Sequence, residues 1–312
     1  MRHYKQVSSN SNISTETLQY QAEFELKHKN KTYEPGDNNT PLNVPFSIFE
    51  LKTCINQRRD TAAGRDVLSY QMFKHLPDSV LAIWLKLYNK VWDDRNYPSS
   101  WKEASVIPLH KHGKNKNDPK SYRPISLTSH SGKLLEGMVK ARLEHLLESK
   151  NIINPFQSGF RKGRSTLDQL ARLQHDVIQA KNRSRSVLAI FLDLTAAFDL
   201  TWHFGILHKL KEYGVTGACF QYIRSFLEGR KISVKINGVN SDSEPLERGT
   251  PQGSILSPLL FSIIINGLPE ALSGSGMVIS QFADDSSAWK IGSNLVKLAK
   301  DAQAGMDSMG MG

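Results

Sequence analysis

Apolar and polar positions follow two periods along this chain, and the changes of period mark its elements. Phe46 to Gln57 repeats at helical spacing, and Ser47 followed by Glu50 has the spacing of a capping box. Ser79 to Asp93 places Val80, Ile83, Trp84, Leu87 and Val91 on one helical face. Gly132 to Glu148 does the same with Leu134, Leu135, Met138, Val139, Leu143, Leu146 and Leu147, and turns Lys133, Lys140 and Arg142 outward. A Gly- and Arg-rich loop, Gln157 to Ser165, leads into a helix to about Ala180. Helices over Phe204–Tyr213 and Ala218–Glu228 are each ended by a glycine, Gly214 and Gly229, and another covers Ser254–Asn266. Ala104–Leu109 reads as a short strand, and Val187–Leu194 as a buried one by length and β-branched content. Ile232–Ile236 alternates and then meets Asn237-Gly238, a hairpin signal; Met277–Ile291 reads as strand, tight turn, strand. Residues 1–40 are polar, end in Glu34-Pro35-Gly36-Asp37-Asn38-Asn39, and are expected to be linker or disordered. Helices and strands mix without βαβ regularity, which predicts an α+β fold whose sheet carries helices on one face.

Charge adds a direction. The chain of 312 residues carries a net +10, and residues 101–185 alone hold 17 Lys and Arg against 7 Asp and Glu. The rest is balanced, so the whole excess lies just before the strand that bears Asp193. A concentrated basic surface fits a polyanion partner, the alternative being a solvated helical face. Its length and its place beside an acidic cluster favour nucleic acid or nucleotide. Cys54 and Cys219 lie far apart, form no metal-ligand spacing and read as free thiols of a reducing compartment. The longest apolar stretch, Ile255–Ile265, is too short to span a bilayer, and the start of the chain has no signal-peptide pattern. The expected location is intracellular, in nucleus or cytoplasm, with no membrane partner.

The chemistry is carried by carboxylates. Asp284 and Asp285 stand together at the turn of the last strand pair, and Asp193 ends the apolar strand before them. Like charges that close repel unless a cation sits between them, and Mg²⁺ takes one or two carboxylates while sharing its other sites with phosphates. Metal-assisted phosphoryl transfer follows as the candidate reaction. Asp193 could instead cap the next turn, and Asp199 suits such a structural role. Neighbours on a strand face opposite ways, so Asp284 and Asp285 should do different jobs. In Arg248-Gly249-Thr250-Pro251-Gln252-Gly253-Ser254, glycines let the backbone approach a flat ligand and Gln252 offers an amide; the alternative is a plain loop capped by Ser254.

Phe282-Ala283-Asp284-Asp285, the Gly249–Ser254 loop, and Asp193-Leu194 followed by Ala197-Phe198-Asp199 together resemble the three palm motifs of a reverse transcriptase, in particular the non-LTR, LINE-type, jockey-like retrotransposon group. Ala63-Gly64-Arg65-Asp66, Trp101-Lys102-Glu103-Ala104, Tyr122-Arg123-Pro124-Ile125-Ser126-Leu127, Gln157-Ser158-Gly159-Phe160-Arg161 and Arg164-Ser165-Thr166 resemble the blocks before them in the same order, over roughly residues 44–290. The resemblance implies a right-hand polymerase with fingers over 41–185 and a palm with an antiparallel sheet over 186–292. It implies an RNA template, a DNA primer, dNTPs and two Mg²⁺ ions, with Mn²⁺ as an alternative. Asp193 and Asp284 would bind both ions, with Asp285 beside them as a third catalytic carboxylate and the Leu194 carbonyl as a further ligand. Phe198 would be a steric gate under the incoming sugar. Arg123, with Lys111, would grip the triphosphate, Gln252 and Gly253 would support the nascent pair, and Arg161, Lys162 and Arg164 would hold nucleic acid. Past the hairpin the resemblance fades: 293–312 is expected to be a truncated tail without the family's thumb or general-acid lysine, and no endonuclease domain precedes. A catalytically incomplete nucleic-acid-binding fragment, a metal-dependent nuclease and an RNA polymerase of similar palm remain as other readings.

Overall fold

Two separate β-sheets organise the chain, one in each of two units that it visits twice. A computed structural model describes residues 2–34, 36 and 40–308. The first unit is Met1–Leu146 with Phe198–Ser257, and the second is Leu147–Ala197 with Pro258–Gly312. The strands are β1 (Glu103–His110), β2 (Tyr122–Leu127), β3 (Ser186–Asp193), β4 (Lys231–Ile236), β5 (Val239–Asn240), β6 (Glu244–Pro245), β7 (Val278–Phe282) and β8 (Asp285–Gly292).

In the first unit β1 pairs antiparallel with β2 and parallel with β4. β4 turns through Asn237 and Gly238, both at positive φ (50° and 84°), into β5, as a two-residue hairpin of this composition demands. The helix His130–Ser149 runs through the core, with Leu134, Leu135, Val139 and Leu143 fully buried. Aromatic rings from the helices Asp78–Asp93 and Gly217–Leu227, and from Tyr97 in the segment after the first, close around it: Tyr97 meets Phe226 at 5.3 Å and Trp92 meets Tyr222 at 5.5 Å between ring centroids. The predicted capping box forms, Ser47 accepting from Glu50 N and Glu50 accepting from Ser47 N.

Two expectations fail here. Lys133 does not face out: it is 8% exposed, because the first half of its helix is covered on all sides, and desolvation lowers its pKa. Arg142 is also drawn inward, to Glu50 at 2.6 Å and over the Phe46 ring at 4.0 Å. Residues 2–34 are not a disordered segment, since they form helices Arg2–Val7 and Thr15–Tyr33. Ser14 caps the second, and Phe24 packs edge-on against Trp202, Phe204 and His208. A few aromatic anchors on one helical face supply the burial that polar composition hides. Pro35 and residues 37–39 of that reading lie outside the described residues.

In the second unit the sheet runs β3-β8-β7, all antiparallel. Helices cover both of its faces rather than one. Thr166–Asn182 lies on the side of Ser280 and Trp289, with Asp176 accepting from Trp289 Nε1 at 2.8 Å. Leu295–Ser308, in the stretch read as a tail, lies on the other, where Ala302 joins Leu272, Met277, Ile279 and Ala288. β3 is an edge strand and is not buried as expected: Phe191, on the same side as the fully buried Trp289, is 72% exposed. Helix cover therefore stops short of the strand end that carries Asp193.

Candidate active site

β7 ends at Phe282 and β8 starts at Asp285, so Ala283 and Asp284 are the whole turn. Ala283 holds φ +59°, the left-handed conformation a two-residue hairpin needs at its first turn position. The register then makes Asp285 the direct partner of Asp193 across the β3–β8 ladder. Directly opposed residues share a face with Cα atoms about 4.5–5.5 Å apart. The register thus sets Asp285 opposite Asp193, while Asp284, expected as the shared metal ligand, lies in the turn beside them. Asp193 and Asp285 are exposed and Asp284 is half-buried, and among the described residues none of the three is in an ion pair.

Opposed like charges destabilise a sheet, so this end calls for a cation. Among the described residues no three His, Cys, Asp or Glu side chains converge as a closed metal cage. Two opposed carboxylates open to solvent do fit Mg²⁺, which leaves its other positions to water and phosphate. Leu194 follows β3 directly and lines a cavity of about 210 Å³ with Leu192, Ile264, Ile265, Leu268 and Ser286.

The loop before Arg161 braces this hairpin. Ser158 N donates to Gln281 O and Gln281 N to Phe156 O, both at 2.9 Å, extending the sheet beside β7. Gly159 presses on the turn, where a Cβ would collide with Ala283 N. Gln157, 1% exposed, accepts from Gly159 N at 2.7 Å and Ala283 N at 3.2 Å. Arg161 was expected to hold nucleic acid, but its guanidinium is committed: it pairs with Glu148 at 2.6 Å and donates to the carbonyls of Asn154 and Gln157. Lys162 and Arg164 stay exposed.

The first unit gathers most of the other candidates. The Phe198 carbonyl accepts from Thr250 N at 2.8 Å, and Asp199 accepts from Gln252 Nε2 at 2.9 Å. Gln252 O in turn accepts from Ser126 N at 2.8 Å. The two glycines serve this packing: a Cβ on Gly249 would strike Asp199 and one on Gly253 would strike Ser126, and both hold positive φ. Both glycines are thus packed closely against the protein's own backbone. Pro124, Ser126, Asp199 and Gln252 line one cavity with Tyr4 and Val7 of the helix Arg2–Val7. Burial pushes the Asp199 carboxyl up to about 6, against the opposing pull of the Gln252 hydrogen bond. Arg123 on β2 is exposed, and Lys111 donates to Lys120 O at 3.0 Å.

The sequence reading missed Glu136. It is fully buried and accepts from Tyr97 Oη at 2.8 Å, Ser254 Oγ at 2.6 Å and Ile255 N at 2.9 Å, so it fixes the end of the Gly249–Ser254 loop. The signal was present: an acidic residue between Leu135 and Met138, on the apolar side of a helix.

Residues 110–289 match the family model described as reverse transcriptase (RNA-dependent DNA polymerase). The chain belongs to the reverse transcriptase family. It is 32% identical over 303 residues to the RNA-directed DNA polymerase from mobile element jockey of Drosophila melanogaster, covering 95% of this chain and 32% of that protein. It is 30% identical over 267 residues to the probable RNA-directed DNA polymerase from transposon X-element of the same fly, covering 83% of this chain and 29% of that protein. With the probable polymerase from transposon BS the figures are 35% over 242 residues, 74% and 26%. These relatives bear out the non-LTR, LINE-type grouping drawn from the motifs. The chain spans between about a quarter and a third of their length. The family match runs from the end of β1 to Trp289, so it contains the hairpin aspartates, Asp193, the Gly249–Ser254 loop and the bracing Gln157–Arg161 segment of this reverse transcriptase chain. Among the described residues no helix is long and apolar enough to cross a membrane.

Proposed function

We propose that this chain carries an RNA-directed DNA polymerase core, with fingers over 41–185 and palm over 186–292. The carrying observation is the placement of Asp193 opposite Asp285, with Asp284 in the adjoining turn, inside the segment that matches the family. Asp193 and Asp284 would hold two divalent cations, Mg²⁺ by the hardness of the oxygen donors, with Asp285 beside them and the Leu194 carbonyl as an added ligand. When bound, the cations would activate the primer 3′-hydroxyl and neutralise charge on the departing pyrophosphate. The reaction joins the primer 3′ oxygen to the α-phosphorus of a dNTP and breaks its α–β bond.

The other residues position substrate. Phe198, fixed through its backbone to Thr250, would crowd a ribose 2′-hydroxyl and favour dNTPs. Exposed Arg123 would clamp the triphosphate, with Lys111 near the same basic loop. Gln252 and Gly253 would back the nascent pair. Lys162 and Arg164 would contact the phosphates of an RNA–DNA hybrid.

The test is dNTP incorporation on a poly(rA)/oligo(dT) primer-template with Mg²⁺, comparing this chain with Asp284→Ala. Incorporation that vanishes in the variant supports the reading. No incorporation, with the hybrid still bound, overturns it in favour of a nucleic-acid-binding fragment. Cleavage without dNTPs would instead mark a nuclease.

A further inference from the structure

We propose that Gln157 is the positioning residue of the aspartate hairpin, holding the turn so that Asp284 and Asp285 present their carboxylates beside Asp193. The inference rests on the reading of those aspartates as metal ligands.

Ala283 adopts a left-handed backbone without being glycine, a conformation unfavourable for any residue with a Cβ. The hairpin ladder imposes it, and a contact from outside the turn adds to the hold. The Gln157 side chain does so: its Oε1 accepts from Ala283 N at 3.2 Å and from Gly159 N at 2.7 Å. Among the described residues its Nε2 is buried with no hydrogen-bond partner, so the side chain engages the fold through its accepting oxygen. An amide is the suitable acceptor beneath three carboxylates, because it accepts without adding charge.

The brace is itself braced. The parallel bridge between Gln157 and Gln281 fixes its backbone, and Arg161 ties the Gln157 carbonyl to Glu148. Gly159 lets the segment lie flush on the turn. Connection thus runs from Glu148 through Arg161 and Gln157 to Ala283, one residue before Asp284. Groups that orient metal ligands from behind typically change affinity or activity about 10–100-fold when removed.

The full chain is compared with Gln157→Met, which keeps length but loses the acceptor, and Gln157→Glu, which keeps the accepting oxygen. Three quantities are read: deuterium exchange of the Ala283 amide, affinity for Mn²⁺ alone, and kcat against KM for dNTP. The expected result for Gln157→Met is faster Ala283 exchange, Mn²⁺ affinity weaker by about tenfold, and a fall in kcat with KM for dNTP nearly unchanged. Gln157→Glu, read at a pH low enough that its buried carboxyl is protonated and neutral, should restore protection of Ala283. Unchanged exchange in Gln157→Met overturns the proposal, and so does equal loss in both variants, which would mean packing alone matters. If Gln157→Met does not fold, Gln157→Glu decides: slow Ala283 exchange supports the acceptor role, and fast exchange overturns it. Mn²⁺ affinity that depends on Gln157 in a chain that incorporates no dNTP keeps the positioning role and removes the polymerase reading. A wild-type chain without Mn²⁺ affinity removes the metal site, and Ala283 exchange then decides alone whether Gln157 holds the turn.

Discussion

Asp193 and Asp285 stand side by side in water with no cationic side chain among the described residues paired to them, whereas Glu136 in the other unit is fully buried and receives three close donors. Both are acidic groups on regular elements. The first arrangement lowers the stability of its sheet and makes sense only with a ligand. The second stabilises a loop and needs none. An acidic residue saturated by its own protein serves the fold, and one left opposed to its like carries a cost that the proposed cation site would offset.

The largest expected effect tests the exposed pair. Asp193→Asn should cut dNTP incorporation by about 10³-fold, the scale of several kcal/mol of cation-assisted stabilisation. Its melting temperature should hold or rise, since a like-charge contact is relieved. A lower melting temperature would mean that the pair is structural after all. Glu136→Ala should act the other way, costing about 3–5 kcal/mol in a urea titration by stranding several buried donors.

The basic residues sharpen the same contrast within one loop. Arg161→Ala should cost about 2–3 kcal/mol of stability, because it strips Glu148 and two carbonyls of their partner. Lys162→Ala and Arg164→Ala should leave stability within about 0.5 kcal/mol. Each should instead lower the salt slope of RNA–DNA hybrid binding by about 1.

A further effect is in pH. Asp199 titrates near 6 when folded against 3.8 as its ordinary value. Below this window the carboxyl is neutral in both states. Across it the unfolded chain releases a proton that the folded chain retains, so stability falls as pH rises from about 4 to about 6 and is then level with respect to this group. Asp199→Asn should flatten that part of a stability-versus-pH curve; an unchanged slope would show that other groups set it.

Much of this was legible in the chain. The Ser47–Glu50 capping box, the Asn237-Gly238 hairpin and the strand–turn–strand around Asp284 are local features, and local chemistry decides them. What escaped depended on distant partners. Lys133 is buried because other helices surround its own, which helical period cannot report. The helix Thr15–Tyr33 is secured by rings from residues 202–208. Phe191 lies in an apolar run that reads as buried, yet it sits on an edge strand beyond the reach of its covering helix. At the site, the carboxylates were visible as a pattern, but which one faces Asp193 needed the register. The support under them, Gln157 and Gly159, was visible only as part of a loop.

The register of β3 with β8 also has a meaning for synthesis. β3 is complete once Asp193 has been joined, but β8, its strand partner among the described residues, ends at Gly292. At about 5–20 residues per second the unpaired strand waits roughly 5–20 s, with Phe191 and two open edges available to any passing chain. A polypeptide released within that interval would carry β3 without the strand that pairs with it.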